Sequence, residues 1–335
     1  MMRVCASVAL TLLGVSIIAA GAWGTLALAY AGPPNEILRS SLAAAYAFAS
    51  LAALIGFAMR GRRWRALGAF VLLFALLLAW WSGVEPSNNR DWQTDVALLP
   101  RATIDGELVT LHNIRNFDYR SETDYTPAYY DKRYDVSKLE GVDLVAAYWM
   151  GPAIAHTFMS FSFAGGDRLA ISIETRKEKG EGYSTLKGFF RQYELYYVVA
   201  DERDLIRLRT NYRRDPPEDV YVYRLQGSLA NARRLFMAYA KQINALGQNP
   251  AFYNTLTTNC TTNIWVHSRI NPDHLPFSWK ILASGYLPQY LYEHGLLASG
   301  GLAFADLQRR VHVNARAQAA DAAADFSRRI RVPAQ

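Results

Sequence analysis

Three stretches near the start of the chain carry no charged residue: Val4 to Tyr30, Ser40 to Met59 and Ala66 to Val84. A helix rises about 1.5 Å per residue and the hydrocarbon core of a bilayer is roughly 30 Å thick, so about 20 apolar residues cross it. Each stretch meets or approaches that length, which predicts three transmembrane helices. The third ends in Trp80-Trp81, an aromatic pair of the kind found where a span leaves the lipid.

Beyond Val84 the pattern changes to short alternating runs. Pro86 to Trp92 is polar and turn-rich and reads as a linker. Residues 102–111 read as a hairpin around Asp105-Gly106. Residues 113–141 are dense in Tyr, Asp and Arg with little period, and predict an irregular wrap on the surface. Val142 to Met150 is strand-like. His156 to Phe163 alternates polar and apolar positions, Ala164 to Asp167 supplies a turn, and Arg168 to Thr175 returns. A further strand is expected at Glu194 to Ala200, and a pair at Asp204–Thr210 and Val220–Leu225.

Ser228 caps a helix running to about Leu246, with Ala232, Leu235, Phe236, Tyr239 and Ile243 at helical spacing. Pro250 interrupts, and a second helix starts near Asn259. The expectation is an α+β domain with an antiparallel sheet and helices packed on one side. Residues past Pro272 are apolar and aromatic, fit either to pack on the domain or to lie at a lipid surface. The tail after Asp306 is rich in Ala, Arg and Asp and reads as an exposed helix or a frayed end. The division is 1–84 for the spans, 85–275 for the folded domain and 276–335 for the extension and tail.

Charge orients the spans. The link between the second and third carries Arg60, Arg62, Arg63 and Arg65, whereas residues 31–39 hold one Arg and one Glu. Basic short loops stay in the cytoplasm, which predicts a cytoplasmic N-terminus and places everything after Val84 outside the inner membrane. The first span ends Ala27-Leu28-Ala29, a small-x-small pattern that could be cut as a signal peptide; the domain would emerge on the same side either way. The net charge of +7 is no footprint for nucleic acid: residues 1–83 supply five of the seven surplus positive charges.

The chain has two cysteines, Cys5 in the first span and Cys260 in the domain. Cys260 therefore has no intrachain disulfide partner in an oxidising compartment; it is either a buried core residue or kept for reactivity. The run Asn259-Cys260-Thr261-Thr262-Asn263 precedes apolar Ile264-Trp265-Val266. Cys260 would sit in the first turn of a helix, where unpaired N–H groups and the helix dipole favour thiolate. Asn259 and Thr261 would cap that turn or donate to an oxyanion.

A thiolate nucleophile needs a base, and His suits neutral pH. Of six His, His156 opens a strand in mid-sheet. His267, on the Cys helix, lies about 10 Å along it, too far for direct contact. His112 sits at a strand end, and His274, His294 and His312 in the C-terminal part. With Gly165-Gly166 at the tip of a simple hairpin, His156 faces Thr175 and Glu174 points away; a one-residue shift brings Glu174 alongside the imidazole. Glu174 is the candidate third group, with an ion pair to Arg176 or Lys177 as the alternative. No residues have metal-ligand spacing, no nucleotide-binding glycine loop is present, and no cofactor is expected.

The residues from about Ile104 to Ile270 resemble the bacterial Lnb N-terminal periplasmic domain family. The resemblance rests on Asn113 to Ser121, Val142-Asp143 with Tyr148-Trp149, Ala155-His156-Thr157, Ala170 to Glu178, Phe190 to Glu194, Val199 to Arg203 with Arg207, Thr210, Asn211 and Tyr212, and Tyr253-Asn254-Thr255 with Asn259 to Thr262. It implies a permuted NlpC/P60-type, papain-like fold in which His precedes Cys in the chain. It also implies acyl transfer through a cysteine thioester, from a membrane phospholipid to the N-terminal amine of a lipoprotein. A cysteine peptidase or amidase acting on cell-wall peptides would use the same pair, and a non-catalytic envelope scaffold would need neither.

Overall fold

The computed structural model describes residues 2–331. The chain forms two compact units, residues 1–87 with 184–193, and residues 88–183 with 194–335.

The first unit holds α1 (Met2–Ala31), α2 (Glu36–Ala58) and α3 (Arg63–Ser82), each long and apolar enough to cross a membrane. Asn35 caps α2 by accepting from the Leu38 amide. Many large apolar side chains on these helices remain exposed, Phe48 and Leu72 among them, as lipid-facing residues should. The helices meet around Ile17, Phe57 and Phe70. Small residues let them approach: a Cβ on Gly24 would fall 2.4 Å from Leu77.

The second unit is built on an eight-stranded sheet. Its strands are β1 (Arg101–Asp105), β2 (Leu108–Arg115), β5 (Tyr129–Asp135), β6 (Leu139–Tyr148), β7 (Ala155–Phe163), β8 (Arg168–Arg176), β9 (Glu194–Ala200) and β10 (Asp219–Arg224), with β3 (Asp118–Tyr119) and β4 (Tyr125–Thr126) forming a small ribbon apart. The order is β1-β2-β9-β8-β7-β6-β10, with β5 on β2. All pairs are antiparallel except the short β2–β9 contact. Residues 113–141, expected to be irregular, mostly enter strands, with Tyr134 and Val136 buried. The weak period of this segment reflects a bulge between Leu111 and Ile114.

Helices cover both faces of this sheet rather than one. Phe158, Ala170, Val145, Val198 and Val222 lie under α4 (Glu202–Arg207), α10 (Asn314–Ala319) and α11 (Phe326–Arg329). The opposite face carries Phe161 and Phe163 against Phe236 of α5 (Leu229–Gln248), and Thr157 against α6 (Cys260–Ser268). Residues 204–210, expected to be a strand, are the end of α4 and a π-helical turn over Leu208–Tyr212. Asp201 caps α4 through the Arg203 amide, and that cap sets helix over strand here.

After α6 come α7 (Trp279–Leu282), α8 (Leu287–Glu293) and α9 (Phe304–Val311). The aromatic extension packs on the domain: Ile281, Leu287 and Tyr290 are buried. As far as Arg331 the tail packs on the domain. Ala317, Ala320, Phe326 and Ile330 lie in the core, and Arg331 pairs with buried Asp143 and Glu202 at 2.6 and 2.5 Å. Ala317 and Ala320 are buried in the same cluster as Val145, Val198 and Val222 of the sheet.

Candidate active site

The β7–β8 hairpin decides which residue His156 meets. Its tip is a three-residue connection, Ala164 to Gly166, closed by the Phe163 amide on the Asp167 carbonyl at 2.9 Å. Gly165 and Gly166 both take positive φ, +89° and +91°, which residues with a side chain rarely adopt. The ladder runs Ser162↔Arg168 to Met159↔Ile171 and, carried on, sets His156 opposite Glu174 rather than Thr175. The pairing expected from a tip centred on the two glycines is therefore displaced by one residue.

His156 Nε2 lies 3.0 Å from Glu174 Oε1 and 2.7 Å from Ser172 Oγ. The Ser172 hydroxyl donates to the same Glu174 oxygen at 2.7 Å. With Nε2 so engaged, Nδ1 is left for the sulfur, and the imidazole and thiol are hydrogen-bonded.

Cys260 reaches His156 because β7 and β8 stop pairing at Met159 and Ile171. The Thr157 amide, freed from that ladder, donates to the Cys260 sulfur. Asn259 is the N-cap of α6: Oδ1 accepts from the Thr262 amide at 2.8 Å, and Nδ2 donates to the Thr255 carbonyl at 2.7 Å. Its side-chain amide is thus turned inward, so its place here is capping. The Thr261 hydroxyl bridges Thr157 Oγ1 at 2.9 Å and the Cys260 sulfur at 3.6 Å. The first-turn amides of Cys260 and Thr261 have no intrahelical acceptor and are the oxyanion donors this geometry offers.

Burial pushes the Cys260 thiol up, but His156, the Thr157 amide and the Thr261 hydroxyl outweigh it and bring the thiol down to about 7. Burial pulls His156 down; the Glu174 carboxylate overcomes this, against opposition from Arg209 and with help from Cys260, and lifts it to about 9. Glu174, though penalised by burial, is held well below the ordinary carboxylate range by His156, Arg209 and Ser172. Between these limits the pair is thiolate and imidazolium, the nucleophilic form.

Two participants were not legible in the sequence. Ser172 is an ordinary polar residue in an apolar strand until the register puts it beside His156. Arg209, on the π-helical turn, bonds Glu174 at 3.1 Å and Glu218 at 2.9 Å, and Arg213 continues the chain to Glu218 and Glu122. Reading 204–210 as a strand hid it. Tyr253 is also buried here, bonded to the Tyr183 hydroxyl and close enough to Cys260 and Glu174 for their charges to raise its pKa further beyond the effect of burial.

The other histidines are engaged elsewhere. His267 Nε2 is hydrogen-bonded with the Tyr197 hydroxyl at 2.7 Å, and burial pulls His267 down to about 4. His112 bonds Asp131, His312 bonds Asp219, and His274 and His294 bond backbone carbonyls. Among the described residues no group of three or more His, Cys, Asp or Glu is gathered to hold a metal ion.

A helix-borne Cys meets a strand-borne His that precedes it in the chain. Residues 125–285 match the Lnb N-terminal periplasmic domain family. The Lnb match contains His156, Ser172, Glu174, Arg209 and Cys260, and leaves out the three apolar helices and the chain beyond Gly285. No curated protein and no solved structure matches the chain. The match to the Lnb periplasmic domain family, together with the three apolar helices, supports a membrane-anchored protein with a periplasmic domain.

Proposed function

We propose that the protein is a periplasmic thiol acyltransferase of the inner membrane, with a cytoplasmic N-terminus. Cys260 takes an acyl chain from a phospholipid and passes it to an amine, the N-terminus of a lipoprotein. The observation that carries this reading is the buried Cys260–His156–Glu174 array, whose thiol is drawn down to about 7 in a chain that also bears membrane helices.

The Cys260 thiolate attacks the ester carbonyl, and the first-turn amides of α6 hold the resulting oxyanion. As the C–O bond breaks, the His156 imidazolium gives its proton to the departing alkoxide, leaving a lysolipid and an acyl-thioester. The incoming amine attacks the thioester and loses a proton to the neutral imidazole. The C–S bond then breaks, the amide product leaves, and the thiolate–imidazolium pair is restored. Glu174 and Ser172 hold the ring in place throughout. Burial around the sulfur limits water and so favours transfer over hydrolysis. The anchor supports the lipid reading over cell-wall amidase action, since an acyl donor resides in the bilayer.

The test is mass spectrometry of lipoprotein N-termini from cells with the wild-type protein or Cys260→Ala. Loss of the N-acyl group in the variant supports the proposal. Unchanged N-termini with altered cell-wall peptides would replace it with the amidase reading.

A further inference from the structure

Within the first compact unit, residues 184–193 leave the sheet between β8 and β9 and join the three apolar helices. The Arg191 guanidinium donates to the carbonyls of Trp81 and Val84 at 2.6 and 2.9 Å and lies 4.5 Å over the Trp81 ring. These carbonyls close the end of α3, where a helix lacks internal donors and favours a cation. Phe190 meets Tyr30 at the end of α1, with ring centroids 5.7 Å apart. Trp81 also packs on Trp23 and Trp80. Such an aromatic belt with a capping Arg marks the lipid–water boundary.

Just before these anchors the chain makes a compact 3₁₀ turn at Lys187–Phe189. The Ser184 amide on the Tyr193 hydroxyl and the Gly188 amide on the Ser184 carbonyl tie it down. Residues three apart eclipse on a 3₁₀ turn, so Leu186 and Phe189 share one side. Both are exposed, at 45% and 40%, and Lys187 between them is half-buried. Two apolar side chains held outward beside a cation, on a turn fixed to the end of a membrane helix, match the layering of a lipid monolayer.

We propose that residues 184–193 form an interfacial turn whose Leu186 and Phe189 insert into the leaflet at the exit of α3, with Lys187 at the lipid phosphates. The partner is the bilayer itself, because Arg191 fixes the turn at the depth of the Trp80–Trp81 pair. The inference does not depend on Cys260 chemistry.

Full-length Cys5→Ser/Cys260→Ser protein carrying Leu186→Cys, Phe189→Cys or, as an aqueous control, Glu107→Cys would be labelled with a polarity-sensitive fluorophore. It would then be placed in phosphatidylglycerol/phosphatidylethanolamine nanodiscs. Labels at 186 and 189 are expected to emit to the blue of the label at 107 and to be quenched at least twofold by doxyl lipids but little by iodide. Adding Arg191→Ala is expected to reduce the lipid quenching. Iodide quenching equal to that at 107 would overturn the proposal, and so would shielding from both quenchers, which would mean a protein partner or second copy covers the turn.

Discussion

Cys260 gathers in one sulfur what the site can do, and its titration gives the sharpest test. Iodoacetamide labelling of the intact protein is expected to follow thiolate with a midpoint near pH 7 and to fall away below it. His156→Ala removes the partner that holds the thiol down, so the midpoint should move to pH 9 or above. At pH 7 the thiolate fraction drops roughly 50-fold, but the more basic sulfur is up to roughly tenfold more nucleophilic, so labelling slows only about fivefold. An unmoved midpoint would detach His156 from Cys260. Arg209 acts on the same profile from the other side. It lowers His156 electrostatically, so Arg209→Met should carry the alkaline limb of the proposed acyl transfer above its wild-type position near pH 9. Removing one member of a buried ion pair should also cost roughly 3–5 kcal/mol, read as a lower melting temperature. A merely structural Arg209 would lower the melting temperature and leave the pH limb where it is.

At the scale of elements, the site depends on two fittings that hold β7 and α6 in place. One is the Asn259 cap with the Thr157–Thr261 bond. The other lies where the extension meets the start of β7. The Gly285 amide donates to the Ala153 carbonyl, Ser284 Oγ accepts from the Ala155 amide, and the Tyr148 hydroxyl donates to the Gly285 carbonyl. A Cβ at Gly285 would fall 2.1 Å from the Pro152 carbonyl oxygen, so Gly285→Ala must displace the segment leading into His156. The proposed acyl transfer should drop at least tenfold, and the labelling midpoint of Cys260 should rise. A full-rate variant would show that this segment can shift without moving His156.

For the whole molecule, a buried charge cluster ties the C-terminal tail to the sheet. Arg331 neutralises Asp143 and Glu202, and Ser160 donates to Glu202. Burial works against ionised Glu202, but Arg331 and the neighbouring hydroxyls hold it down at about 2, against an ordinary 4.5. The stability this supplies is present above pH 4.5 and is lost as pH falls toward 2. Arg331→Met leaves two buried carboxylates without that partner. Melting at pH 7 should fall by several degrees, and acid unfolding should begin at higher pH. A wild-type acid limb would remove Arg331 from the account. Orientation has its own check: a membrane-impermeant maleimide should reach Cys260 when the outer membrane is opened and the inner one is intact. Labelling only after lysis would reverse the topology.

Local chemistry in the sequence determined a good deal here. Uninterrupted apolar runs can become little other than spans, alternation around His156 and Ile171 marks strands, and Asn259 before Cys260 marks a helix start, because each is enforced by neighbours within a few residues. Three features were decided only by tertiary structure. The glycine tip of β7–β8 closes on three residues, and that one-residue choice turns Glu174 toward His156. The tail buries Ala317, Ala320, Phe326 and Ile330 over one face of the sheet, a long-range contact that low sequence complexity cannot reveal. Arg209 meets Glu174 across 35 positions because a π-helical turn forms where strand propensity pointed elsewhere. Contacts between distant segments set these outcomes, and no local pattern carries that information.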